Sequence, residues 1–208
     1  MRYLPLYSTL FFQRGHIIDT LTKRTKLGFG IGDLGGNLFF TIIGFYLLYY
    51  FTDVLGLLPA LAGTALMIGK IWDAVTDPIT GYVSDRTVSR FGRRRPYMTV
   101  GAVISFVCMA LIFTPVTLSS QLRLFIYVTF LYCLLNTAYT LVNIPYAALL
   151  PELTDDYHQR TVLTAYRMSF AVIGTFFGAA LVMPIIGLFG SVNLGWSMMG
   201  TFMGAVML

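Results

Sequence analysis

The sequence predicts an all-α membrane protein with six transmembrane helices. Hydrophobic residues make up 57% of the chain and charged residues 11%, where a soluble domain carries about one quarter charged residues. Six apolar stretches approach the ~20 residues that a spanning helix needs. They are long and lack the ten-residue alternation of barrel strands. The boundary falls at 26/27: residues 1–26 form a basic cytoplasmic segment, with a short interfacial piece around LPLYSTLFF, and residues 27–208 form the six-helix domain.

The first span, Leu27 to Phe51, opens in GFGIGDLGG. No strand precedes those glycines, so they suit close helix packing rather than a phosphate loop. The second, Leu57 to Val83, starts as LLPALAGTALMI and continues as GKIWDAVTDPITGYVSDR, which puts three charges where lipid is expected. The third runs from Tyr97 to Phe113 and the fourth from Leu122 to Leu150, where Pro145 implies a local kink. The fifth covers Val162 to Leu188 and the sixth Val192 to Leu208.

Eleven of the fourteen lysines and arginines lie before span one, between spans two and three, or between spans four and five. The opposite side has only Arg123. The positive-inside rule therefore places the N-terminus and those loops in the cytoplasm, across an inner membrane. This asymmetry accounts for the +5 net charge without nucleic acid. Cys108 and Cys133 sit in apolar stretches and read as packing residues, and His16 and His158 as solvated surface. No nucleophile–base arrangement or metal motif points to an enzyme, a cofactor or a cleaved signal peptide.

Two basic residues remain, Lys70 and Arg167, both inside spans with Asp33, Asp73 and Asp77. Ionisable groups at the bilayer centre cost ~2.5–3.5 kcal/mol each on insertion scales, so they face a bundle interior or aqueous path. Positions 70, 73 and 77 share one helical face. Lys70 reaches Asp73, and the i,i+4 carboxylates repel unless a cation or proton joins them. Oxygen ligands suit Na⁺, and Pro78 frees the carbonyl of Ala74 as a further ligand. A structural salt bridge is the competing reading. Span four repeats the spacing with Thr140, Asn143 and Ala147 beside Tyr139, and span one offers Asn37 a turn after Asp33. Arg167 either grips a ligand's hydroxyls or carboxylate or pairs with Asp33 or another acid. Tyr46, Trp72, Tyr139, Tyr146 and Tyr166 are candidates to stack on a sugar ring.

The segments YYFTDVLGL, GKIWDAVTDPITGYVSDRTVSRFGRRRPY, NIPYAALLPELTDDYHQRT and AYR together resemble the glycoside–pentoside–hexuronide:cation symporters. These form the melibiose-permease-like branch of the major facilitator superfamily. The resemblance implies a fold of two six-helix halves, each of two inverted three-helix repeats, of which this chain covers the N-terminal one. It implies Na⁺- or H⁺-coupled sugar symport, with the ion on Asp73 and Asp77, joined by Thr140 and with Asn143 nearby. Sugar contacts fall on Arg167, Asn37, Asn143, Tyr139 and Lys70. Asn37 and Asn143 stand where melibiose permease has acids, and Ala147 where it has a tryptophan. These departures point away from α-galactosides, toward pentosides, xylosides or glucuronides. Asp85, Arg86, Arg93, Arg94 and Arg95 form an expected cytoplasmic latch that one conformation closes and another breaks. The expected partners are a sugar, a cation, the bilayer and a second six-helix half. That half is either the missing remainder of a truncated chain, the favoured expectation because the sequence stops inside span six, or another copy. An inactive fragment or a non-transporting sugar sensor is the alternative.

Overall fold

The computed structural model describes residues 21–87 and 94–207. The expected interfacial piece, Arg2, Arg14, His16, Arg90, Arg93 and Leu208 lie outside those residues. Within them all regular structure is helical. Helix α1 spans Lys23–Tyr49 and continues as a π-helical turn, Tyr50–Val54. Its start four residues before Leu27 follows from its cap: Thr22 Oγ1 accepts from the Thr25 amide at 3.3 Å. Gly56, at φ +70°, reverses the chain, a conformation that side chains with a Cβ resist. Helix α2 then covers Pro59–Arg86, with proline in its first turn where no N–H partner is lost. Gln121 ties this turn to the next pair. Its Oε1 accepts from Leu58 N at 3.1 Å, and its Nε2 donates to the Gly56 carbonyl at 2.9 Å.

Helices α3 (Arg95–Ile112) and α4 (Gln121–Ala147) follow, then the short α5 (Leu150–Leu153). Helix α6 (Tyr157–Ala180) begins at Asp156, whose carboxylate accepts from the amides of His158 and Gln159. The expected fifth span is broken at Leu181, between α6 and α7 (Val182–Gly187). Pro184 explains the position: its ring collides with the carbonyl four residues back, at Ala180, where α6 stops. Pro78 and Pro145 lie inside continuous α2 and α4. Helix α8 covers Val192–Val206.

The main helix pairs are α1 with α6, α2 with α4, and α3 with α4, while α8 leans on α3 and α7. Glycines set the closest approaches. A Cβ at Gly174 of α6 would overlap the Leu34 backbone of α1, and one at Gly69 of α2 would overlap the Tyr132 ring of α4. Phe39, Ile42, Leu47, Tyr50, Met109, Phe113, Tyr132 and Trp196 fill the shared core. Four helical stretches are long and apolar enough to cross a membrane: Lys23–Val54, Arg95–Ile112, Gln121–Leu153 and Tyr157–Gly187. The other two long helices fall short for separate reasons. Helix α2 carries Lys70, Asp73 and Asp77 in its middle, and α8 has 15 residues.

Candidate ion and substrate site

Helix α2 is held on α4 by three contacts that end at the acidic pair. Gly69 admits the Tyr132 ring, and buried Asn136 donates from Nδ2 to the Gly69 carbonyl at 3.3 Å. One turn further, Trp72 Nε1 donates to Thr137 Oγ1 at 2.8 Å. These fix the rotation of α2 so that Asp73 and Asp77 meet Thr140. The Thr140 hydroxyl lies 2.9 Å from Asp77 Oδ1 and 3.3 Å from Asp73 Oδ1. A hydroxyl has one hydrogen, so it serves one carboxylate at a time, leaving the other to a proton or cation. Lys70 Nζ stands 3.4 Å from Asp73 Oδ2. One ammonium against two carboxylates leaves this cluster one positive charge short of neutrality.

A second cluster joins α1 to α6. Arg167 Nε donates to Asp33 Oδ1 at 2.9 Å, and Asn37 Nδ2 donates to Asp33 Oδ2 at 3.0 Å. Of the two readings of Arg167, the structure therefore shows the Asp33 pair. The guanidinium also lies over the Tyr146 ring, 5.3 Å from its centroid. Tyr146 is fixed in turn, stacking on Phe29 and donating to the Phe29 carbonyl at 2.6 Å. Tyr139 stacks on Phe39 with centroids 4.2 Å apart. Asp33, Tyr139, Asn143 and Tyr146 line a cavity of about 430 Å³, walled also by glycines of α1, by Val142, by residues of α3 and by Met207. Asn143 has no hydrogen bond to Asp73, Asp77 or Thr140 among the described residues. The i,i+3 pair on α4 thus divides, Thr140 facing the α2 carboxylates and Asn143 facing the Asp33 side.

The other aromatic candidates have mixed roles. Tyr46 donates to the Ala179 carbonyl at 2.6 Å near the end of α6, while Trp72 serves the α2–α4 contact. Asn136, Thr137 and Tyr132 were not anticipated. Asn136 lies one turn before Thr140 in an apolar stretch, and that spacing was the available signal.

At the far end of α2, Arg94 Nη2 bridges Asp85 Oδ1 at 3.2 Å and Glu152 Oε1 at 3.1 Å. Arg94 is buried and both carboxylates are exposed. Glu152 belongs to α5 and was not in the expected latch, although PELTDD displays it. Arg86 lies over the Tyr82 ring, 4.1 Å from its centroid, rather than on Asp85. Arg95 is the first residue of α3 and forms no ion pair among the described residues. Arg93 lies outside them.

Apolar helices around clusters of ion-paired and carboxylate groups define a multi-pass membrane protein of the transporter class. Residues 28–208 match the family model described as MFS/sugar transport protein. The chain belongs to that family, the glycoside–pentoside–hexuronide:cation symporters, whose named relatives are transporters and not enzymes. It is 45% identical over 80% of its length to an uncharacterized symporter, sll1374, of Synechocystis, covering 32% of that protein. It is 30% identical over 87% of its length to an isoprimeverose transporter of Lactiplantibacillus pentosus, covering 38% of it. A sodium-dependent lysophosphatidylcholine symporter, 1-A, of Danio rerio is 36% identical over 81% of the chain and is covered to 31%. The chain thus spans about a third of the length of these relatives.

Proposed function

We propose that the chain is the N-terminal six-span half of a cation-coupled sugar symporter, with Asp73 and Asp77 holding Na⁺ or H⁺. The observation that carries this reading is the Thr140 hydroxyl set between the two carboxylates. That geometry leaves one place for a small cation with oxygen ligands around it. A glycoside then meets Arg167, Asn37, Asn143, Tyr139 and Lys70, and Arg167 exchanges an Asp33 oxygen for a sugar hydroxyl.

Pairing of the helices supports the inverted repeat. Exchanging α1 with α4 and α2 with α6 carries the α2–α4 pair onto the α6–α1 pair. In this reading α2 and α8 cross the membrane with the other four, and the N-terminus faces the cytoplasm of an inner membrane. Lys70 and Trp72 are exposed on α2, and a second six-helix unit forms the opposite wall there. Asp85, Arg94 and Glu152 close the cytoplasmic end, with Arg86, Arg93 and Arg95 supplying positive charge.

Thermal unfolding of the purified chain with NaCl or choline chloride tests the ion site. Na⁺, or acid pH for a proton site, raises the melting temperature of the wild type and not of Asp77→Ala. Equal stabilisation of both refutes the assignment. Adding isoprimeverose in one arm and lysophosphatidylcholine in another tests substrate class, with stabilisation expected from the sugar.

A further inference from the structure

We propose that Lys70 is a tethered competitor for the coupling ion, occupying Asp73 when the ion is absent and displaced when it binds. This rests on the ion reading of Asp73 and Asp77. Asp73 is divided between two partners: Oδ1 faces the Thr140 hydroxyl at 3.3 Å and Oδ2 the Lys70 ammonium at 3.4 Å. Asp77 has Thr140 on Oδ1, and its Oδ2 has no partner among the described residues. An ion drawn between the two carboxylates therefore shares Asp73 with the ammonium, and two like charges on one carboxylate repel.

The other basic group of these spans is differently placed. Arg167 is 24% exposed and anchored on the buried Asp33, whereas the Lys70 side chain is 54% exposed on a flexible stem. In that same position Lys70 also faces a second partner. Its Nζ lies 5.7 Å from the centroid of the Phe40 ring on α1, within reach of the ring's negative face. The ammonium can leave Asp73 without leaving the protein surface. Released, it becomes a donor beside Phe40, one turn along α1 from Asn37. Ion occupancy is thereby converted into a polar group presented to the sugar side of the site.

Calorimetric titration of the purified chain with NaCl, at ionic strength held by choline chloride, measures the competition. Lys70→Met keeps stem length without charge, and Lys70→Gln supports it. Both are expected to bind Na⁺ more tightly than the wild type, by up to about fivefold. The gain should persist at high ionic strength, where an effect acting only through solvent is screened. Unchanged or weaker binding in the neutral variants, with wild-type binding intact, overturns the inference alone. Wild-type protein that binds no Na⁺ overturns it together with a sodium site. If neither neutral variant folds, Lys70→Arg decides: its guanidinium grips the carboxylate with two N–H groups, so weaker Na⁺ binding is expected, and equal or tighter binding refutes the competition.

Discussion

Thr140 shows what one hydroxyl contributes to an acidic pair. Replacing it with valine keeps the volume, but the two carboxylates lose the donor that separates them, while serine retains it. Thr140→Val is expected to weaken Na⁺ binding at least tenfold in calorimetric titration, about 1.4 kcal/mol, with Thr140→Ser near wild type. The Asp33–Arg167 pair poses the opposite problem, because each member is costly without the other. Removing one partner of a buried pair costs ~3–5 kcal/mol, since it strands a charge, and Arg167's partial exposure puts this case toward the lower end. Asp33→Asn and Arg167→Gln should each lower unfolding stability by about 3 kcal/mol, and the double variant should recover part of it. A double variant at the sum of the two losses would show that the groups act independently. If Arg167 also contacts sugar, the recovered double variant still loses sugar-induced stabilisation.

At the scale of helices, α2 depends on a glycine. In an exposed helix, Gly69→Ala would gain up to about 1 kcal/mol from helix propensity. Here the added Cβ overlaps the Tyr132 ring, which is buried and packed in the core, and overpacking costs about 1–3 kcal/mol. Packing wins. Gly69→Ala is expected to lower thermal stability and, by pushing α2 away from Thr140, to weaken Na⁺ binding as well. Gly69→Ala with Tyr132→Leu should restore part of both. The same helix shows which features could be read before folding. The one-faced spacing of Lys70, Asp73 and Asp77 is a property of one helix, and so is the Lys70–Asp73 contact. Which residue of α4 meets that face depends on the rotation set by Gly69, Asn136 and Trp72, and the resemblance supplied Thr140 where periodicity could not. Asn143, one turn on, was expected on both the ion side and the sugar side with Asn37 and Arg167, and periodicity could not choose between them. Arg167 had its correct partner among the readings, but choosing Asp33 required the α1–α6 approach that Gly174 permits. The break at Leu181 was available locally, in Pro184.

Across the whole molecule, the end of the bundle that carries Asp85 is joined by a charge shared among three elements. Arg94 precedes α3, Asp85 lies in the last turn of α2, and Glu152 lies in α5. Asp85 is 59% exposed and Glu152 45%, and an exposed ion pair contributes ~0–1 kcal/mol. Their value lies in the guanidinium, which is 8% exposed and whose Nε and Nη1 have no partner among the described residues. While one carboxylate remains, the buried charge is compensated; once both are gone it is not. Asp85→Asn and Glu152→Gln should therefore each cost less than about 1 kcal/mol, and the double variant should cost well beyond their sum. Hydrogen exchange reads where that loss appears. In the double variant, amides near the end of α2 and in α5 should exchange faster while the α1–α6 pair keeps its protection. Additive losses, or faster exchange spread evenly over all helices, would show that the triad is ordinary surface charge and that this end of the bundle is held by other contacts.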